Sequence, residues 1–157
     1  MEKHSSTYVD STNNVTTRKE INTKYGNNDL GEWVPKHFDL KQGEKVLDIG
    51  CGAGTHIRKI SKIIQNKNCC FAIDYDKEMI SKSIELNKNN PTNIEFSTIS
   101  MDDMEQTNIF FEDSFDLIYS VYAFYYSKNE FKLLDNLKKR LKSNGRISII
   151  GPHSDNN

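Results

Sequence analysis

Three glycines recur at every second position in VLDIGCGAGT, residues 46–55, and an acid, Asp48, stands two residues before the first of them. Gly50, Gly52 and Gly54 follow an apolar run and precede HIRKISKII, so they stand where a strand turns sharply into a helix. Glycine admits positive φ there and lets a ligand reach the backbone without meeting a Cβ. The helix start behind the turn offers unpaired N–H groups and a partial positive charge. A dinucleotide fingerprint requires G-x-G-x-x-G, whereas this order is G-x-G-x-G-T, with Thr55 in the third-glycine position. Asp48 would repel a pyrophosphate and attract an ammonium group. A second acid, Asp74, ends the next apolar run in FAIDYD, where a carboxylate can accept both hydroxyls of a ribose. The ligand described by these residues has a ribose, an amino-acid end and little or no phosphate. The competing local readings are that Asp48 only caps the turn and that Asp74 only opens the next helix. As a strand-tip residue, Asp74 is expected to matter little for folding.

The elements that must position these groups follow from periodicity. Lys45–Ile49 reads as a strand, and Gly54–Ile64 as a helix with Ile57, Ile60 and Ile64 on one face. Cys69–Ile73 has no polar alternation, which fits a strand covered on both faces. Asp76 can cap a helix carrying Met79, Ile80 and Ile84. Strands follow at Asn93–Thr98 and Phe115–Ser120. A helix over Asn129–Leu141 would bury Phe131, Leu134, Leu137 and Leu141; Gly145 closes that region, and Arg146–Ile150 is a fifth strand. Alternating strands and helices predict an α/β, Rossmann-like open parallel sheet of about five strands with helices on both faces. Such sheets bind ligands beyond the carboxyl ends of their strands. Residues 1–14 read as a mobile polar tail and 15–40 as a helical segment with Leu30, Trp33, Val34, His37 and Phe38 at helical spacing. Residues 41–157 form the core domain.

VLDIGCGAGT followed by FAIDYDKEMI resembles the first two motifs of the class I S-adenosylmethionine-dependent methyltransferases. ISMDDME is similar to the family's acidic adenine loop, FDLIYSVYAFYY to its fourth strand and adjoining loop, and LKKRLKSNGRISIIGP to its helix, turn and fifth strand. The resemblance covers residues 29–152. It implies S-adenosyl-L-methionine as cofactor and methyl transfer to a small-molecule acceptor. By this resemblance Gly50, Cys51, Gly52 and Gly54 lie beneath the methionine part, Asp48 orients the loop and the amino group, and Asp74 holds the ribose. Tyr75 and Met79 pack on the adenine or in the core. One carboxylate within Ser100–Asp103 accepts from the adenine amino group: Asp102 is favoured, with Met101 or Asp103 supplying a backbone N–H. The backbone at Tyr119 and Ser120 borders the reactive end. Tyr122, Tyr125 and Tyr126 either line an acceptor pocket or join the core. No catalytic base is evident, and His56 reads as a surface residue. The family's Asn-Pro-Pro-aromatic motif is absent, Tyr119–Tyr122 standing in its place, which counts against exocyclic nucleobase amines.

A formal net charge of −1 gives no electrostatic case for a nucleic-acid partner, and the run Lys138, Lys139, Arg140, Lys142 reads as a solvated helix end. No apolar stretch approaches the roughly 20 residues that span a bilayer, and no hydrophobic segment follows the N-terminal charges of a would-be secretory signal. Cys51, Cys69 and Cys70 fit neither a disulfide framework nor zinc-ligand spacing and read as reduced thiols of a cytoplasmic protein. Compared with the family, the chain stops after its fifth strand, before the usual antiparallel pair. RISII is then expected to form an exposed edge open to self-association, and the chain to be a fragment, the alternatives being a partner that covers the edge or a degenerate domain. The alternative function is a noncatalytic cofactor-binding or scaffolding module.

Overall fold

The computed structural model describes residues 30–66, 68–89, 94–107 and 113–151. The expected tail at 1–14 and residues 15–29 of the helical segment lie outside these. A short helix α1 (Leu30–Lys36) is followed by β1 (Val46–Ile49), α2 (Thr55–Ile64), β2 (Cys70–Asp74), α3 (Lys77–Asn87) and β3 (Ile94–Thr98). A 3₁₀ turn, Met101–Gln106, leads towards β4 (Phe115–Val121); a second, Phe124–Tyr126, precedes α4 (Glu130–Arg140) and β5 (Leu141–Ile150). The five strands form one parallel sheet in the order β3-β2-β1-β4-β5. This is the expected Rossmann-like α/β fold. The chain builds outward from β1 to β3 and then returns to place β4 on the other side of β1. The order therefore reverses between β1 and β4, and a crevice opens at their carboxyl ends.

Alternate residues of the central strands feed two apolar layers. Val46, Cys70, Ala72, Leu117 and Tyr119 pack with Ile57, Ile60 and Ile64 of α2, Ile80 of α3, and Val34 and Phe38 from the α1 region. Leu47, Ile49, Phe71, Ile73 and Ile118 pack with Met101, Met104, Phe124 and the α4 residues Leu133 and Leu137. The period of two along each strand makes this division.

The structure corrects several expected faces. In α4 the buried side chains are Leu133, Asn136, Leu137 and Arg140, while Phe131 is 83% exposed. The expected Leu134 and Leu141 are half-buried against the same layer, and Arg140 turns inward to donate to the carbonyls of Asn136 (3.0 Å) and Met104 (2.9 Å). In α3, Ile84 is exposed and Ser83 takes the buried place. Trp33 is only partly covered and stacks on His37, with ring centroids 3.9 Å apart.

Residues 143–145 do not form a separate turn between α4 and the last strand. They lie within β5 as a bulge: Phe115 faces Leu141, but Leu117 already faces Arg146. The bulge lets Lys142 reach Asp116 at 2.7 Å. Arg146 then anchors the strand. Its guanidinium meets both carboxylate oxygens of Glu44 at 2.7 and 2.9 Å and donates to the Phe38 carbonyl at 2.7 Å. The fork geometry makes this pair specific, and it holds the Glu44 carboxyl below its usual range.

Among the described residues β5 pairs only with β4, and Ile149 on it is 45% exposed. A row of unpaired donors and acceptors beside an exposed Ile recruits another strand. Sedimentation velocity of the 157-residue chain is expected to show concentration-dependent self-association, weakened by Ile149→Lys. A monomer at every concentration would remove the edge as an association surface.

Candidate functional site

The glycine turn sits at the carboxyl end of β1, over the crevice. It is held from below by β2: the N–H groups of Gly50 and Cys51 both donate to the Ile73 carbonyl at 2.9 Å. The glycines then have different tasks. Gly50 has φ +71°, and a Cβ there would lie 2.3 Å from the Ala123 Cβ, so the turn and the segment after β4 are in direct contact at this point. Gly52 also has positive φ, +52°, but nothing lies within 4 Å of where its Cβ would be. Of the two, it is Gly52 that keeps an open face.

Asp74 secures that open face. Its Oδ2 accepts from Gly52 N–H at 2.8 Å and its Oδ1 from Asp76 N–H at 2.9 Å. The carboxylate thus joins the glycine turn to the start of α3, where Asp76 caps the helix by accepting from Glu78 and Met79 N–H. Two acceptor sites per oxygen leave Asp74 capacity for further donors. The expectation that Asp74 matters little for folding is therefore revised: its side chain is a tie between two loops. Ser83, which the sequence reading overlooked, adds a second tie by donating to the Gly52 carbonyl at 2.8 Å. Its signal was a polar residue at a buried helical position beside Met79 and Ile80.

Asp48 is 2% exposed, and its Oδ2 accepts from the Tyr119 phenol at 2.7 Å. The two residues are opposite each other in the β1–β4 register. The Tyr119 side chain is thus a buried partner of Asp48, with its ring tilted on Phe38 at 5.0 Å. Only the backbone of Tyr119 had been considered from sequence. Burial pushes the Asp48 carboxyl up to about 7; the Tyr119 bond opposes that shift and the nearby Asp74 charge adds to it. Burial likewise raises Asp74, against its backbone hydrogen bonds. Cys51 is buried beneath the turn, and burial raises its thiol well above the ordinary range, so it remains protonated.

Around this centre, Tyr75 projects from the end of β2 and is 60% exposed, while Met79 is buried in the first turn of α3. Met101 is buried under the turn after β3, and its Cε comes within 3.7 Å of a Cβ placed on Gly50. Asp103 is exposed. Asp102, the acid favoured for the adenine amino group, has both oxygens engaged by protein donors, Ser127 and Lys128 N–H. Tyr122, Tyr125 and Tyr126 are partly exposed beyond β4, so none of the three joins the core. His56 is half-buried in the first turn of α2.

A family of methyltransferase domains matches residues 40–156. The chain belongs to that family. This methyltransferase domain is 31% identical over 118 residues to phosphoethanolamine N-methyltransferase 1 of Triticum aestivum, covering 75% of the chain and 22% of the relative. It is 24% identical over 135 residues to a tRNA U34 carboxymethyltransferase of Alteromonas mediterranea, covering 82% of the chain and 39% of the relative. The solved structure of a SAM-dependent methyltransferase from Aquifex aeolicus superimposes with a TM-score of 0.67 at 28% identity, covering 82% of this chain and 68% of that one. The domain therefore spans well under half of those two curated relatives. Among its described residues no helix is long and apolar enough to cross a membrane.

Two expected outcomes follow from the geometry. Gly50→Ala adds both overpacking against Ala123, which typically costs about 1–3 kcal/mol, and a left-handed strain of about 1–2 kcal/mol. Gly52→Ala carries only the strain, so denaturant unfolding should rank Gly50→Ala as the less stable variant. An equal loss in both would mean that Ala123 yields freely.

The second concerns pH. A carboxyl raised in the folded state makes the native protein bind the extra proton, so its contribution to stability falls as pH rises from 3.8 to about 7. Asp74 acts in the same direction. Asp48→Asn should flatten the fall in stability between about pH 5 and 7, as read from unfolding midpoints. An unchanged pH profile would show that Asp48 is already ionised when folded.

Proposed function

We propose that this domain binds S-adenosyl-L-methionine and takes part in methyl transfer to a small-molecule acceptor. The observation that carries this reading is the open backbone at Gly52, beside Asp48 and Asp74, at the reversal between β1 and β4. A bound pyrophosphate would meet two carboxylates there, whereas an ammonium and a ribose would find acceptors. Gly50, Cys51, Gly52 and Gly54 supply the floor under the methionine part. Asp48 is placed to favour the ammonium, Asp74 to accept from the ribose hydroxyls, and Tyr75 and Met79 to flank the adenine. Since Asp102 is engaged elsewhere, the adenine amino group is assigned to the exposed Asp103, with Met101 on the inner side. The backbone at Tyr119 borders the reactive end.

The cofactor supplies an activated methyl group. The protein's part is then mainly to align acceptor and methyl and to exclude water. The family membership and the 31% likeness to a phosphoethanolamine N-methyltransferase support a small acceptor. The basic run also supports it. Arg140 is buried, and of the run's exposed cations, Lys138, Lys139 and Lys142, the last is paired with Asp116. A phosphate-tracking surface needs many more such contacts. The likeness to a tRNA-modifying enzyme makes an RNA acceptor the second reading.

Calorimetric titration with S-adenosylhomocysteine and with NAD tests the cofactor. The former should bind and the latter should not; tighter NAD binding would sink the assignment. Asp74→Ala removes charge-assisted bonds worth about 1.5–3 kcal/mol each, so affinity should fall about tenfold or more. Because Gly52 and Asp76 lose their acceptor as well, its unfolding midpoint should also fall. Full affinity in a folded Asp74→Ala protein would place the ribose elsewhere.

A further inference from the structure

The turn after β3 and the loop after β4 are fastened together by one carboxylate. Asp102 Oδ1 accepts from the Ser127 hydroxyl at 2.6 Å, and its two oxygens accept from Lys128 N–H at 3.0 and 3.3 Å. Ser127 passes the connection on: its Oγ accepts from Asn129 N–H at 3.2 Å, and the Asn129 side chain caps α4 through Lys132 N–H at 2.9 Å. Further ties run between the same 3₁₀ turn and α4. Lys132 pairs with Glu105 at 3.2 Å, and Arg140 donates to the Met104 carbonyl at 2.9 Å. The turn is thus joined to α4 near both ends of the helix.

The loop is anchored by buried Ala123 and Phe124 and by the Tyr122 N–H bond to the Ile150 carbonyl at 2.7 Å, and the clasp secures its exposed part. Tyr122 has φ +55°, a left-handed backbone that a bulky side chain adopts only when its surroundings impose it. Tyr122, Tyr125 and Tyr126 are each about two-fifths exposed, so little apolar burial secures them. The rings of Tyr125 and Tyr126 lie against each other, with centroids 4.5 Å apart. Hydroxyl-to-carboxylate bonds of this length are charge-assisted and among the stronger ones available at a surface.

We propose that Asp102 is a positioning residue that clasps the tyrosine loop, residues 122–128, to the turn after β3, so that ordering of one is transmitted to the other. The inference rests on the reading that the turn after β3 borders the bound cofactor. It gives the carboxylate a role at the loop that carries Tyr122, Tyr125 and Tyr126, and not at the adenine. Cofactor binding against the turn then stiffens the loop that faces the reactive end.

Hydrogen exchange read by mass spectrometry tests this on the full chain, with S-adenosylhomocysteine titrated by calorimetry alongside. Asp102→Ala and Ser127→Ala should each speed exchange across residues 122–128 by about fivefold, the factor for a lost hydrogen bond of about 1 kcal/mol. The effects should be less than additive in the double variant, because each single variant already removes the Ser127–Asp102 bond. Asp102→Asn, whose amide oxygen still accepts from Lys128 N–H, should recover part of the protection. Saturating S-adenosylhomocysteine should slow exchange in this loop in the wild type and not in Asp102→Ala, while affinity changes by less than about threefold. Unchanged exchange in both single variants overturns the clasp. A tenfold loss of affinity in Asp102→Ala with none in Ser127→Ala returns the carboxylate to the adenine and also overturns it. Should Asp102→Ala fail to fold, Ser127→Ala and Asp102→Asn decide. A wild type that binds no S-adenosylhomocysteine defeats the cofactor reading, whereas exchange without ligand still decides the clasp.

Discussion

The hydrogen bonds that Asp74 accepts from Gly52 and Asp76 are the constraint on which the site depends. A strand end is where backbone groups lose their ladder partners, and a loop leaving it has no reason to keep one shape. A carboxylate at that point satisfies two N–H groups from two different loops at 2.8 and 2.9 Å. It thereby sets the distance between the glycine turn and the start of α3. Ser83 repeats the device from the helix side, through the Gly52 carbonyl. The open face at Gly52 is the space left between these ties and the contact of Gly50 with Ala123.

The charges around that space are unusual for a protein of ordinary composition. Asp48 and Asp74 both lie below the surface, and each is displaced upward by burial. Tyr119 spans the β1–β4 boundary to give Asp48 its hydrogen bond, so the strand that completes the crevice also supports the acid inside it. A buried carboxyl with one phenol partner is costly to ionise. A cation arriving beside it would offset that cost. The same acid that lowers native stability as pH rises is thus suited to receive an ammonium group.

Polar ties also organise the far side of the sheet. Arg146 locks β5 to the segment before β1 through Glu44 and Phe38, and Arg140 locks α4 to the turn after β3. Arg140 read as part of a solvated helix end in sequence, yet it is buried and donates to the Met104 carbonyl, 36 residues away; Arg146 reaches Phe38 and Glu44, more than 100 residues away. Arg146 thus secures the sheet near the amino end of β1, while Arg140 secures the turn after β3.

The alternation of strands and helices, and with it the Rossmann-like architecture, was legible in the sequence. Strand and helix periods in 45–98 are unambiguous because burial imposes them residue by residue, and the G-x-G-x-G spacing with Asp48 and Asp74 depends only on local backbone needs. Which helix face is buried in α4 was not legible. Phe131 carries a core-like side chain at core-like spacing, yet it is exposed while Arg140 turns inward to the Met104 carbonyl. The partners that Asp102 meets, Ser127 and Lys128, were not legible either, since they are far along the chain and bear no local signature. Tertiary structure alone decided which glycine is closed and which is open, since Gly50 meets Ala123 and Gly52 meets nothing. Local pattern reports what a residue needs from its neighbours in sequence. Only the packing of remote segments reports what it receives.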